Sequence, residues 1–325
     1  MHRVDVYVAF MLSRQRLVVR APLRAHRRHL HLLFGTANIP HPSKRDKGGE
    51  DAFFADPVSG AFGVADGVGG SARDGVDPGL FSRTMLSHCQ RYLAEHSNAP
   101  PSGAHLARAM AASSAALARD PVGGSSTLLL GQLSSNAQLY LANIGDSAAL
   151  LLRPTPRRFA RAGTVLWPRL VARTHEQTHY FNCPFQVAAE DMLAVVEGST
   201  DAIQVDVRAG DIIVAATDGV TDNLFDERVQ GLVAAEARRI VGAASAAECS
   251  EALQAVADAL ANEAVAVGSR EDDPKTTTPF SVHAGMEGYT APGGKLDDVA
   301  VVVGVVREGS AESAAGLRLS SNFRE

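Results

Sequence analysis

LDDVAVVVGVV, residues 296–306, sets a continuous apolar, β-branched run directly behind two adjacent aspartates. The run Val299–Val306 carries no polar residue, so it reads as a strand buried on both faces. Working outward, similar runs occur at Ala52–Ala55, Ala61–Ala65, Ser126–Leu133, Ala137–Ile144, Ala148–Leu152, Ile203–Val207 and Ile212–Ala216, with turn residues such as Pro57, Ser59 and Gly60 between them. Helical patterns fall at about 77–94, where Asp77 is the expected N-cap and Pro78 the first helical residue, and at 104–118, 226–242 and 245–267. Residues 154–203, with prolines at 154, 156, 168 and 184, and residues 268–294 read as irregular. Strands followed by paired helices and then more strands predict an α+β fold, and short runs with tight turns predict mostly antiparallel sheets.

Acidic residues collect where these strands begin and end. Glu50-Asp51 opens one strand and Asp66-Gly67 closes the next. Asp146 follows Gly145 at a strand end, Asp218-Gly219 closes Ile212–Ala216, and Asp297-Asp298 opens the last strand. A single Asp-Gly pair is ordinary turn chemistry. The set is harder to explain by turns, because carboxylates gathered at one sheet edge repel unless cations neutralise them. All-oxygen ligands select hard cations such as Mg2+ or Mn2+ over Zn2+ or Cu2+. Two such ions can generate a hydroxide at neutral pH and steady both the attacking and the leaving oxygen of a phosphoryl transfer.

The chain has 325 residues, 46% hydrophobic and 21% charged, with a formal net charge of −5. Residues 1–45 carry nine Lys and Arg against one acid, Asp5, so the remainder is more strongly acidic than the total. An acidic body argues against a nucleic-acid partner. No run of eighteen apolar residues is free of charge, so no membrane span is expected. Cys89, Cys183 and Cys249 form no CxxC pair and no even disulfide set. The basic start, with a stripe of Val8, Leu12, Leu17 and Val18, reads as an organelle transit peptide. The expected organisation is a basic leader at 1–34, one domain at 35–307 and a mobile tail at 308–325. No feature of the sequence sets an oligomeric state.

Six ordered stretches make the reading specific: KGGEDAFF (47–54), GVADGVGG (63–70), GSSTLLL (124–130), ANIGDSA (142–148), ATDGVTDN (216–223) and GGKLDDVAVVV (293–303). Together they resemble the metal-dependent type 2C protein serine/threonine phosphatases, and in HEQTHYFNCPFQV (175–187) and the whole stretch 66–85 they resemble the small mitochondrial and plastid branch of that family. The resemblance implies a four-layer αββα sandwich, two mainly antiparallel β-sheets flanked by helices. It also implies a Mn2+ or Mg2+ pair, with phosphoproteins as substrates. By the same resemblance Asp66, Asp218 and Asp297 are the catalytic acids. Asp66 would be shared by both ions, Glu50 and the Gly67 carbonyl would serve one, and Asp218 and Asp297 the other. Asp51 would hold a metal-bound water, and Asp146 would take part in a weaker third metal site. A mitochondrial address follows from the leader and the branch, with plastid and cytoplasm as alternatives.

Two positions depart from the commoner family pattern. Val68 stands where many relatives have a histidine, and Asp46 where many have a phosphate-gripping arginine, leaving Arg45 or Lys47 as candidate replacements. These departures motivate one alternative, a non-catalytic phosphatase-like binding or scaffold protein. The intact Asp66, Asp218 and Asp297 weigh against it, because a protein without metals gains nothing from that repulsion. HEQTH (175–179) also fits the HExxH pattern of zinc proteases, which requires a helix to bring both histidines to one face. The following Tyr180–Pro184 would stop such a helix at once.

Overall fold

The computed structural model describes residues 30–70, 75–119, 122–159, 163–188, 195, 198–309 and 318–323. The expected leader lies almost entirely outside the described residues.

The strands are β1 (Leu30–Ile39), β2 (Asp51–Asp56), β3 (Ala61–Asp66), β4 (Ser125–Ser126), β5 (Leu128–Leu133), β6 (Gln138–Ile144), β7 (Ala148–Phe159), β8 (Gly163–Arg173), β9 (Thr178–Tyr180), β10 (Cys183–Pro184), β11 (Val187–Ala188), β12 (Asp201–Asp206), β13 (Ile212–Ala216), β14 (Val299–Glu308) and β15 (Ser320–Ser321). The helices are α1 (Pro78–Glu95), α2 (Gly103–Leu117), the single turn α3 (Asp218–Thr221), α4 (Asp226–Gly242), α5 (Ala246–Gly268) and α6 (Pro279–Met286). One antiparallel sheet has the order β1-β14-β13-β7-β8, and the other β12-β6-β5-β3-β2-β15. The expected α+β sandwich of two sheets between helices is what forms.

The unbroken hydrophobicity of β14 has a direct cause. Val299, Val301, Val303 and Val305 face a core shared with α4 and α5, while Ala300, Val302 and Val306 face a second core between the sheets. β13 divides the same way, Ile212, Val214 and Ala216 against Ile213 and Ala215. Across the inter-sheet core, β2 sends Phe53 and Ala55 inward and Ala52 and Phe54 outward, toward a third core with Phe81, Met85, Leu86 and Leu106 of α1 and α2. Three apolar layers therefore separate four layers of backbone, and each strand residue enters one of them by its parity. Gly35 of β1 marks how tightly the layers press. A Cβ there would lie 2.3 Å from the Gln254 nitrogen of α5.

Four segments differ from the sequence-based expectation. β1 begins at Leu30, inside the expected leader, and pairs with β14 from Leu30↔Glu308 to Ile39↔Val299. Residues 154–159 and 163–173 lie in the paired strands β7 and β8, where Pro154 and Pro168 face each other on one rung, which confines their missing N–H donors to a single place in the ladder. Within the expected loop 268–294, α6 starts from a capping box in which Thr278 and Ser281 bond reciprocally ahead of Pro279. The segment expected to be a mobile tail also contributes structure. Ser320 and Ser321 pair with Ala55 and Phe54, and Asn322 receives the Phe53 N–H at 2.9 Å and donates to the Asp51 carbonyl at 2.8 Å. Among the described residues no helix is long and apolar enough to cross a membrane.

Candidate metal centre

The register brings the acids together. Asp51 at the start of β2 stands opposite Asp66 at the end of β3, and directly opposed residues share one face of a sheet. Thr217, just past β13, joins that pair to the other sheet. Its hydroxyl donates to Asp51 Oδ2 at 2.7 Å and accepts from the Ala300 N–H at 2.9 Å. Asp218 follows on α3, and Asp297 and Asp298 enter β14 beside it. Gly219 is required by this approach, since a Cβ would lie 2.0 Å from the Asp298 carbonyl oxygen.

Asp66, Asp146 and Asp218 each present a carboxylate oxygen within 4.8 Å of the other two. The backbone of Asp66 is held from three sides. Its N–H donates to Thr127 Oγ1 at 2.9 Å, and its carbonyl accepts from the Ser126 hydroxyl at 2.7 Å and the Thr127 N–H at 2.9 Å. The SST stretch, read from sequence only as a strand start, is thus a clamp on Asp66. Gly67 donates its N–H to the Glu50 carbonyl at 3.1 Å, and a Cβ on it would meet the Pro78 carbonyl at 2.5 Å. Glu50 is steadied by α1, whose Ser82 hydroxyl donates to the Glu50 carbonyl at 2.6 Å, while Arg83 Nη1 donates to the Gly49 carbonyl at 2.9 Å.

The HEQTH segment is neither helical nor a metal triad. His175 is exposed and contacts Asp201, and His179 stacks on Phe185. What the segment does is place Asp146. Gln177 Oε1 accepts from the Gly145 N–H at 3.1 Å, the Gln177 N–H donates back to the Gly145 carbonyl at 2.9 Å, and Asn143 Nδ2 bridges the Gly145 and His175 carbonyls. Gly145 takes φ +105° here, a conformation that favours glycine.

Two lysines lie within the acidic set. Lys44 Nζ is 2.6 Å from Glu50 Oε2, 2.7 Å from Asp298 Oδ2 and 3.5 Å from Asp297 Oδ1. The cation at this edge is therefore Lys44 rather than Arg45 or Lys47. The two-turn 3-10 helix Pro42–Lys47 carries it there, a position the sequence offset alone did not single out. Lys295 Nζ is 2.5 Å from Asp218 Oδ2 and 2.7 Å from Asp222 Oδ2. Asp222 is a member of the cluster that the sequence reading passed over. Its signal was present, four residues after Asp218, where a helical turn returns to the same face.

The donor set fits divalent cations. Burial comes first in raising the Asp66 carboxyl well above the usual range, followed by the charges of Asp218 and Asp51. Asp51 and Asp146 are raised in the same way, and Asp297 less so. Burial carries Asp222 to about 7 even against the charge of Lys295. Asp51 Oδ1 and Asp146 Oδ1 are buried with no hydrogen-bond donor among the described residues. Acceptor oxygens without donors and carboxyls pushed toward neutrality are what a site built around cation charge presents.

A pH dependence follows. Each raised carboxyl keeps its proton to higher pH in the folded chain than in the unfolded one, so the folded state binds more protons. Metal-free protein should therefore lose stability as pH rises from the ordinary carboxylate value of 3.8 through about 7 for Asp222. Melting in EDTA should be higher at pH 5 than at pH 8, and Mn2+ should reverse the order by binding the deprotonated acids. A melting point in EDTA that climbed with pH would contradict the proposed repulsion.

No family model matches the chain. Among curated proteins, a probable protein phosphatase 2C 26 of Arabidopsis thaliana is 32% identical over 297 residues, 88% of this chain and 86% of that protein. A probable protein phosphatase 2C 1 of Oryza sativa subsp. japonica is 31% identical over 301 residues, 88% of this chain and 79% of its own length. The chain belongs to the protein phosphatase 2C family. The protein phosphatase PTC7 homolog of Xenopus laevis is also similar, 34% identical over 271 residues, with 80% of this chain and 82% of that protein covered. Among solved structures, the photosystem II phosphatase PBCP superposes with TM-score 0.63 at 28% identity, over 86% of this chain and 99% of the other. The catalytic domain of the serine/threonine phosphatase PstP, solved with two manganese ions, shares the fold at TM-score 0.50 and 17% identity. The enzyme class read from the motifs, a metal-dependent protein phosphatase, stands with that membership.

Proposed function

We propose that this protein phosphatase hydrolyses phosphoserine and phosphothreonine in protein substrates at the Asp66 cluster, with two Mn2+ or Mg2+ ions. The observation that carries the reading is the meeting of Asp66, Asp146 and Asp218 within 4.8 Å at the ends of three different strands. Asp66 would be shared by the ions, Glu50 and the Gly67 carbonyl would complete one set of ligands, and Asp218 and Asp297 the other. Bound there, the ions supply charge that makes water nucleophilic at neutral pH and offsets the charge of the phosphoryl oxygens.

The chain's own residues do the positioning. Thr217 holds Asp51 Oδ2, leaving Oδ1 as an acceptor for a water proton. Ser126 and Thr127 lock the Asp66 backbone, so its carboxylate needs little reorganisation when cation charge arrives. Lys44, tethered by Glu50 and Asp298, is the ammonium placed to meet a phosphate, as a point charge rather than a bidentate fork. Val68 has no proton to give, so the leaving oxygen takes its proton from water or from another residue.

Phosphate release from phosphothreonine peptides should need added Mn2+ or Mg2+ and stop in EDTA. Folded protein that released no phosphate with either ion would defeat the reading. For the address, a mitochondrial location is proposed from the arginine-rich leader, with plastid and cytoplasm as alternatives. A fluorescent protein fused behind residues 1–45 should concentrate in the organelle, and diffuse cytosolic signal would refute the transit role.

A further inference from the structure

Lys295 is the most constrained cation in the cluster. Its backbone is gripped by the buried Asn223, which accepts the Lys295 N–H at 2.9 Å and donates to the Lys295 carbonyl at 2.7 Å. The same Asn223 amide donates to the Gly219 carbonyl at 2.9 Å, tying Lys295 to the turn that carries Asp218. Gly294 just before it runs so close to α5 that a Cβ would lie 2.2 Å from the Val267 carbonyl oxygen. The ammonium lies 5.4 Å from the Phe280 ring centre, a cation–π distance. Thus the Lys295 backbone is fixed by Asn223 and by the close pass of Gly294 over α5, and the side chain runs inward with only 20% of it exposed.

From that position the ammonium touches Asp218 Oδ2 at 2.5 Å and Asp222 Oδ2 at 2.7 Å, with Asp297 Oδ2 at 3.9 Å. A Mg2+ ion bridging Asp218 and Asp222 would need both oxygens about 2.0–2.1 Å away. It would occupy the space the ammonium holds, and the two cations would repel.

We infer that Lys295 is a built-in cation that takes the place of a divalent ion between Asp218 and Asp222, so that this side of the cluster recruits no metal. The inference rests on the metal-centre reading above and deepens it. The ammonium neutralises part of the carboxylate charge permanently, and the ions gathered from solution are confined to the Asp66 side. It also makes Lys295 a positioning residue: by holding Asp218 Oδ2 it leaves the other Asp218 oxygen for the metal side.

The test counts ions rather than turnover. Calorimetric titration with Mn2+, checked by electron paramagnetic resonance of free Mn2+, should give the same count for wild type, Lys295→Arg and Asp222→Asn. Lys295→Met, which keeps the length and loses the charge, should bind one more Mn2+ per chain. The double variant Lys295→Met/Asp222→Asn should lose that extra ion. An equal, non-zero count in wild type and Lys295→Met would overturn the inference and leave the metal centre standing. So would a wild-type ion that disappears in Asp222→Asn, a comparison that needs no Lys295 variant to fold. No Mn2+ binding by any of these proteins would overturn the metal centre itself.

Discussion

Asp66→Asn is expected to lower Mn2+-dependent phosphopeptide hydrolysis by about 10^4-fold, the scale on which removal of one member of a catalytic unit acts. That corresponds to roughly 5 kcal/mol of lost transition-state stabilisation. The amide keeps the shape of the carboxylate and the backbone clamp of Ser126 and Thr127. What it loses is the negative charge that both ions would share. The loss should therefore appear in kcat and in Mn2+ affinity together, and excess Mn2+ should not restore it. Stability should move the other way. Burial and the charges of Asp218 and Asp51 already disfavour ionised Asp66, so in EDTA at pH 8 the variant should melt no lower than wild type. Near-normal turnover by Asp66→Asn would remove Asp66 from the mechanism. Lost turnover together with a collapsed melting point would assign it a structural role instead.

Gly219→Ala should be nearly as damaging through geometry alone. The added methyl would lie 2.0 Å from the Asp298 carbonyl oxygen and 3.0 Å from Val299 Cγ2. That oxygen belongs to backbone entering β14, which is clamped between β1 and β13 and cannot yield freely. Overpacking of this kind costs about 1–3 kcal/mol. It should also displace Asp218 from Asp297, and misplacement near 1 Å costs about 10^2-fold in rate. Thermal melting and kcat/KM measured on one preparation should both fall. An unchanged kcat/KM would show that the spacing of the two aspartates is unimportant. Unlike Asp66→Asn, this variant should recover part of its activity at higher Mn2+, because every proposed ligand is still present.

Much of the fold was legible because strand parity writes itself into composition. A run such as Val299–Val306 has no polar face to show, and the structure explains it by two cores on opposite sides of one strand. β1 escaped because LHLLFGTANI begins inside the arginine-rich leader, and its burial depends on β14 and α5, neither visible locally. The hairpin β7–β8 escaped because its prolines argue against a strand, and only the pairing shows two of them sharing a rung. α6 carried its own signal in Thr278-Pro279, outweighed by the polar residues before it.

The motifs and their order were enough to determine the family, the all-oxygen chemistry and most of the acids, since residue type decides which ions can bind. Which acids meet was beyond them. The pairing of β2 with β3 sets Asp51 opposite Asp66, Thr217 ties that pair to the second sheet, and the close pass of Gly219 over Asp298 brings Asp218 to Asp297. Asp222 joins them by a turn of helix, Lys44 enters from the helix Pro42–Lys47, and Lys295 from the loop 293–296. Charges at such separations in sequence interact only through the space the fold gives them. The opposing acids and the two lysines among them are therefore properties of tertiary structure alone.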